Sequence, residues 1–282
     1  MTWSDLLGRD LIERFAKWRL GPPTVAVVPL AGPIGMGGPG RRTLNLAALD
    51  EPLERAFKTK NLQAVALTIN SPGGSAAQSS LIHARIRALA AEKAVPVIAF
   101  AEDAAASGGY WLALAADEIY ADASSIVGSV GVIYAGFGLT EMIAKLGVER
   151  RLHTAGEKKS ILDPFLPEKA DDVARLKALQ ADVHADFRAL VKARRGHRLK
   201  APDEVLFSGE FWTGKRALEL GLVDGLGEMK SVLRARFGAK IRFRVCKGPR
   251  GLLRGLLRPE AAWLDDALAA LEARLAWARL GL

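Results

Sequence analysis

The chain has a single cysteine, Cys246, so no disulfide can form within it. It has only four histidines, at 83, 153, 184 and 197, and none stands in a Ser-His-Asp arrangement that sequence order would reveal. No Cys/His spacing suits zinc, and no basic stripe is interleaved with aromatics as nucleic-acid binding would require. Long hydrophobic runs are absent as well. The longest uncharged apolar stretch, 104–116, is too short to span a bilayer and contains Gly108-Gly109. The first residues mix acids with bases, so neither a secretory signal nor a membrane anchor is expected there. The expected location is the cytoplasm, or peripheral on a membrane.

What is present is a chain of 282 residues, half of them hydrophobic, long enough for one sizeable α/β domain. Its net charge of +9 fits a solvated basic surface, or attraction to anionic lipid if cations cluster beside apolar residues. Three segments are expected. Residues 1–23 hold an amphipathic helix, with Trp3, Leu7, Leu11, Phe15 and Trp18 on one face, ended by Gly21-Pro22-Pro23. That face suits a membrane interface or a subunit contact equally. Residues 24–246 alternate short apolar runs with helical patterns, which argues for parallel strands in an α/β fold. Strands are expected at 25–30, 64–69, 95–100 and 118–121, with helices at 44–58, 75–91, 107–116 and 168–195. The last helix has an apolar stripe from Val173 to Val191, expected to be core or an oligomer seam. Residues 247–282 form a basic amphipathic tail in which Arg250, Arg254 and Arg258 flank leucines.

Two strand-to-helix junctions carry paired glycines, Asn70-Ser-Pro-Gly-Gly-Ser75 and Ser107-Gly-Gly109. Such junctions aim backbone N–H groups at a negative charge, which is what an oxyanion hole needs. Each is also compatible with an ordinary turn, and Ser107 with an N-cap. Glycines directly after Ser107 are costly inside a helix, and they suit close approach of a substrate backbone. A serine hydroxyl needs a proton acceptor. With no histidine placed to serve, the lysine pair Lys158-Lys159 offers one, provided burial keeps an amine neutral.

Ser71-Pro-Gly-Gly74, Ser107-Gly-Gly-Tyr110, Gly128-Ser-Val-Gly-Val-Ile133 and Thr213-Gly through Asp224, in that order, resemble the signal peptide peptidase A (SppA) family of Ser–Lys serine peptidases. The resemblance covers residues 24–237. It implies a ClpP/crotonase-like fold of repeated β-β-α units and cleavage of hydrophobic peptides, such as remnant signal peptides, without metal or cofactor. By resemblance, Ser107 is the nucleophile and Lys159, three residues after Gly156, the general base, with Lys158 as the alternative register. Ser129 orients the lysine, and the N–H groups of Gly74 and Gly108 form the oxyanion hole. Ile161, Leu162, Phe165 and Leu166 are the expected desolvating neighbours of Lys159. Ser160 departs from the acid that many members place after the lysine, and no counterpart of the family's N-terminal anchor is expected in residues 1–23. The chain has room for one peptidase domain, so a homo-oligomeric ring with Lys159 reaching a neighbour's Ser107 is expected. The termini are left to contact a membrane or a neighbouring subunit. A crotonase-type acyl-CoA enzyme and a non-catalytic membrane scaffold are the alternatives.

Overall fold

The computed structural model describes residues 22–35, 43–156, 158–248, 274 and 277–281. The helix expected over residues 3–18 and nearly all of the basic tail lie outside the described residues.

The fold is α/β. One sheet takes strands β1 (Thr24–Ala31), β2 (Leu62–Ser71), β3 (Val97–Ala106), β4 (Glu118–Ala121), β5 (Ile126–Gly128), β6 (Phe211–Thr213), β7 (Gly225–Leu226) and β8 (Arg242–Val245). The path runs β6-β5-β3-β2-β1-β8, with β4 on β3 and β7 on β4. Every pairing is parallel except β5–β6. Parallel strands covered on both faces read as unbroken apolar runs, which is why β1 and β2 were legible in the sequence.

On one face, α1 (Leu46–Phe57), α2 (Ala76–Lys93) and the short α3 (Gly108–Ala113) bury the main core, including Leu30, Leu53, Leu67, Ile69, Ile82, Ile86 and Leu112. On the other face α8 (Met229–Phe237) covers Val25, Val27, Ala64, Ala66, Ile98 and Phe100 through Leu233. Between them in sequence lie α4 (Thr140–Lys145), α5 (Ala170–Arg195), α6 (Asp203–Leu206) and α7 (Gly214–Leu220).

Strand β3 runs six residues past its expected end. Glu102 and Asp103 interrupt the apolar run and are exposed, and the register with β2 shifts between Ile69 and Ser71. The strand then resumes as Ala104-Ala-Ala106, paired with Ile126–Gly128 of β5. This extension delivers Ser107 to the end of β3. Trp277 and Leu280 pack on Ala104, Ala106 and Ile126, behind the same strands.

Helix α3 is fixed at its far end. Arg194 donates to the carbonyls of Leu114 and Ala116, both at 2.8 Å, and Arg87 to that of Ala115 at 3.1 Å. These cations satisfy carbonyls that a helix C-terminus leaves open. The buried Tyr110 hydroxyl donates to Leu222 O at 2.8 Å, and burial pushes its pKa up. The helix therefore cannot slide relative to β3, and its N-terminus is held in register with the sheet.

The apolar stripe of α5 is only partly core. Phe187 and Val191 are buried, with Phe187 stacked on Trp111, but Leu179 is exposed and the stripe's other members are at most half-buried. The buried members of the stripe, Phe187 and Val191, both lie in the C-terminal half of this helix, while Asp172 is buried in its first turn.

Candidate active site

Ser107 joins β3 to α3 with φ +52° and ψ −120°. A non-glycine residue at positive φ costs roughly 1–3 kcal/mol, so the surrounding contacts must impose it. They do so through the backbone. Ser107 N donates to Gly128 O at 2.8 Å, and Ser107 O accepts from Trp111 N at 3.0 Å. The hydroxyl makes no capping bond to α3, so the N-cap role considered from sequence is not what it performs. The turn spends conformational energy to present an oxygen that the helix does not use.

The Ser71-Pro-Gly-Gly74 loop lies against that turn. A Cβ built on Gly73 would sit 2.8 Å from both Gly108 N and Ser107 Cβ, and one built on Gly108 would sit 3.3 Å from Gly74 N. Approach this close needs hydrogen in place of a side chain. Gly74, at φ +143°, is held tighter still, because its Cβ would fall 1.9 Å from Ile34 O. The loop's other backbone groups are occupied: Gly73 N donates to Ser71 Oγ at 3.2 Å, Ile34 N to Gly73 O at 2.8 Å, and Ser75 N to Ile34 O at 2.9 Å. Among the described residues Gly74 N–H has no such acceptor. Gly108 N–H belongs to the first residue of α3, where no intrahelical acceptor exists. The two N–H groups thus stand side by side next to Ser107, at the N-termini of α2 and α3, where the helix dipoles favour negative charge.

Ser129 follows the last registered pair of β3 and β5, Ala106 with Gly128, so it stands one step on from the residue whose carbonyl holds Ser107. It too has positive φ, +55°, and its N–H donates to Glu210 O at 2.7 Å. Sequence reasoning missed what lets the two strands end this way. Gly128 at φ +112° lies under the Trp212 ring, where a Cβ would come within 2.8 Å. The signal was the glycine preceding Ser129.

Lys159 stands on an exposed turn. It closes a turn in which Lys159 N donates to Gly156 O at 3.1 Å, and its side chain is exposed, as is that of Lys158. Ile161 is exposed, and Leu162, Phe165 and Leu166 are half-buried. No hydrogen bond joins Lys159 to Ser107 or Ser129 among the described residues. The segment is folded on itself: Arg150 pairs with Asp163 at 2.9 Å, and Leu139 N donates to Pro164 O at 2.6 Å. The Phe165 N–H, with Arg150 beside it, holds the Asp163 carboxyl below its ordinary range. It also carries a strip of uncovered apolar side chains, with Phe137 78%, Ile133 70% and Leu146 70% exposed. A single chain thus brings Ser107, Ser129, Gly74 and Gly108 to one place and leaves Lys159 on an uncovered apolar segment.

The family model for peptidase family S49 matches residues 89–240, which include Ser107, Ser129 and Lys159. The chain belongs to peptidase family S49. This is the SppA-type serine peptidase family that the sequence motifs resemble. An S49 relative from Arabidopsis thaliana, the chloroplastic serine protease SPPA, is 30% identical over 90% of this chain and 38% of its own length. A protein of Brucella abortus named Na(+)/H(+) antiporter NhaA is 50% identical over 98% of this chain and 39% of its own length. The chain therefore spans about two fifths of these relatives. More than half of the Brucella protein lies outside the match, and no described helix here is long and apolar enough to cross a membrane. Among solved structures, a lysine-to-alanine mutant of a membrane-bound stomatin-specific protease, in complex with a substrate peptide, aligns with TM-score 0.51. It is 17% identical over 89% of this chain and 100% of that chain, a likeness of fold.

Proposed function

We propose that this chain is a serine endopeptidase with a Ser–Lys dyad, built on a ClpP/crotonase-like arrangement and acting on hydrophobic peptides. The observation that carries this is Ser107 itself: a hydroxyl held at a strained backbone position, unused by its helix, beside two unspent N–H groups. In the proposed mechanism Ser107 Oγ attacks the scissile carbonyl while the neutral Lys159 amine takes its proton. The oxygen that becomes negative sits between Gly74 N–H and Gly108 N–H. The lysine ammonium then protonates the leaving amine, and water releases the acyl group by the same route. Ser129 holds the lysine amine. A free lysine titrates near ~10.4, so the base must be desolvated to act at neutral pH.

Lys159 is exposed in the single chain, and the segment that bears it exposes Ile133, Phe137 and Leu146. Both features support the expectation that a second copy covers this segment and that the dyad is shared around a ring. Fluorophosphonate labelling of the wild type, Ser107→Ala and Lys159→Ala is the test. Label should enter only the wild type at a useful rate. Mixing the two variants, each inactive alone, should restore peptide hydrolysis if the lysine acts on a neighbour. Full labelling of Lys159→Ala would discard the dyad, and no recovery on mixing would place the lysine and serine within one chain.

A further inference from the structure

We infer that Ser71 is a positioning residue for the oxyanion hole; this rests on the Ser–Lys peptidase proposal above. Ser71 is the last residue of β2, is fully buried, and is registered against Ala105 of β3, two residues before Ser107. Its hydroxyl accepts the Gly73 N–H at 3.2 Å, bending the loop back on the strand that enters it. Proline at 72 has no N–H to offer. The Ser71 hydroxyl is thus the side-chain anchor of a loop whose remaining bonds go to the backbone of Ile34. The same residue also supports the second donor. A Cβ on Gly109 would lie 2.6 Å from Ser71 O and 3.2 Å from Ser71 Cβ, so the turn carrying Gly108 rests on Ser71.

One residue therefore stands behind both N–H groups, through its hydroxyl for Gly74 and through its backbone and Cβ for Gly108. Its hydroxyl bond fixes the Pro72–Gly73 peptide, which leads into the Gly73–Gly74 peptide that carries the donor, and its carbonyl and Cβ set how near the Gly108–Gly109 turn comes. Without the hydroxyl, Gly73 N–H is a buried donor with no partner, directly beside the donor meant for substrate. The loop can then satisfy Gly73 only by turning or by admitting water. Either change moves Gly74 N–H away from the position the developing oxyanion occupies, where displacement of a donor costs rate more than binding. Ser71 need not touch the substrate for this to hold.

The test compares wild type, Ser71→Ala and Ser71→Thr by thermal melting, by kcat and KM on a fluorogenic peptide, and by the rate of fluorophosphonate labelling. Ser71→Ala should melt within a few degrees of wild type, lose about 10- to 100-fold in kcat and in labelling rate, and keep KM within about threefold. Ser71→Thr retains the oxygen and should recover most of kcat. Wild-type kcat in Ser71→Ala overturns the inference. So does a folded Ser71→Thr as slow as the alanine variant, or a loss in Ser71→Ala that lies in KM alone. If Ser71→Ala does not fold, Ser71→Thr decides: near wild-type kcat supports the inference and a large kcat loss sinks it. If the wild type itself takes no label, the peptidase proposal has failed instead, which is a separate result.

Discussion

The two halves of the proposed machinery are built in opposite ways. Around Ser107 the chain is so tight that hydrogen alone fits at Gly73, Gly74 and Gly108, and the backbone is held by bonds to Gly128, Trp111 and Ile34. Around Lys159 the segment from Val132 to Ile161 leaves large apolar side chains in water, and the lysine sits on an exposed turn. The first region needs nothing beyond its own chain to hold its geometry. The second has a hydrophobic surface that a lone chain leaves unburied, at roughly 25 cal/mol for each Å². The difference teaches that the proposed nucleophile and oxyanion donors are held by the chain's own fold, whereas the proposed base, on the proposal above, depends on a second copy covering that strip.

Four measurements would break or sharpen this contrast. The largest effect is on catalysis. Ser107→Ala should lower peptide hydrolysis by on the order of 10⁴-fold or more, and Lys159→Ala should approach the same loss. Their melting temperatures should stay close to that of the wild type, and a large loss of stability in Lys159→Ala would mean that the lysine belongs to the packed region after all.

Next comes Gly74→Ala, which drives a methyl group into Ile34 O and should destabilise the fold by more than about 3 kcal/mol in urea unfolding. Gly156→Ala, whose Cβ would meet nothing within 4 Å, tests only the strain of its φ of +103° and should cost no more than about 1–2 kcal/mol. Equal losses at the two positions would erase the distinction.

Third is the response to pH. Burial, together with the guanidinium groups of Arg194 and Arg87, holds His83 down to about 4 from 6.5. Its Nε2 is buried with no partner. The folded state therefore resists taking a proton that the unfolded chain accepts, so stability is complete above about pH 6.5 and is lost as pH falls toward 4. The loss attributable to His83 is up to about 3 kcal/mol, by the free-energy equivalent of each pKa unit. Unfolding curves of wild type and His83→Asn across pH 4–7 should differ in slope over that window, and parallel curves would reject this account.

The smallest effect on folding belongs to the uncovered strip. Ile133→Glu with Phe137→Glu should change monomer stability by less than about 0.5 kcal/mol, because neither side chain is packed. The same pair should lower the sedimentation mass and abolish hydrolysis. Retained activity in a monomeric double variant would show that one chain completes the dyad.

How much of this was legible in the sequence depended on how each part is held. Strands β1 and β2 are buried on both faces, so their composition announced them. The Gly-Gly pairs at 73–74 and 108–109 pointed to close backbone approach, which is where the structure uses them. The end of β3 was hidden because Glu102 and Asp103 read as a loop, whereas they occupy a register shift inside the strand. Strands β5 to β8 have two to four residues each, too few for a period to emerge, and β8 alternates arginine with Phe243 and Val245 as a sheet edge does. The stripe on α5 read as core or an oligomer seam, without a division along its length. Periodicity reports that a face is apolar, not what lies opposite, and among the described residues the fully covered members of the stripe are Phe187 and Val191, in its C-terminal half. The lysine pair was singled out for want of a placed histidine, and Lys159 was preferred to Lys158 only through resemblance, since nothing in its own composition separates it from a solvated loop lysine.

The placement of Lys159 on an uncovered strip has a consequence for the cell that makes this protein. If the dyad is shared as proposed, a newly synthesised copy carries a finished nucleophile but no base, and it stays harmless to the nascent chains around it. Hydrolytic power then arrives only when enough copies have accumulated to meet, so dilution alone would switch it off again.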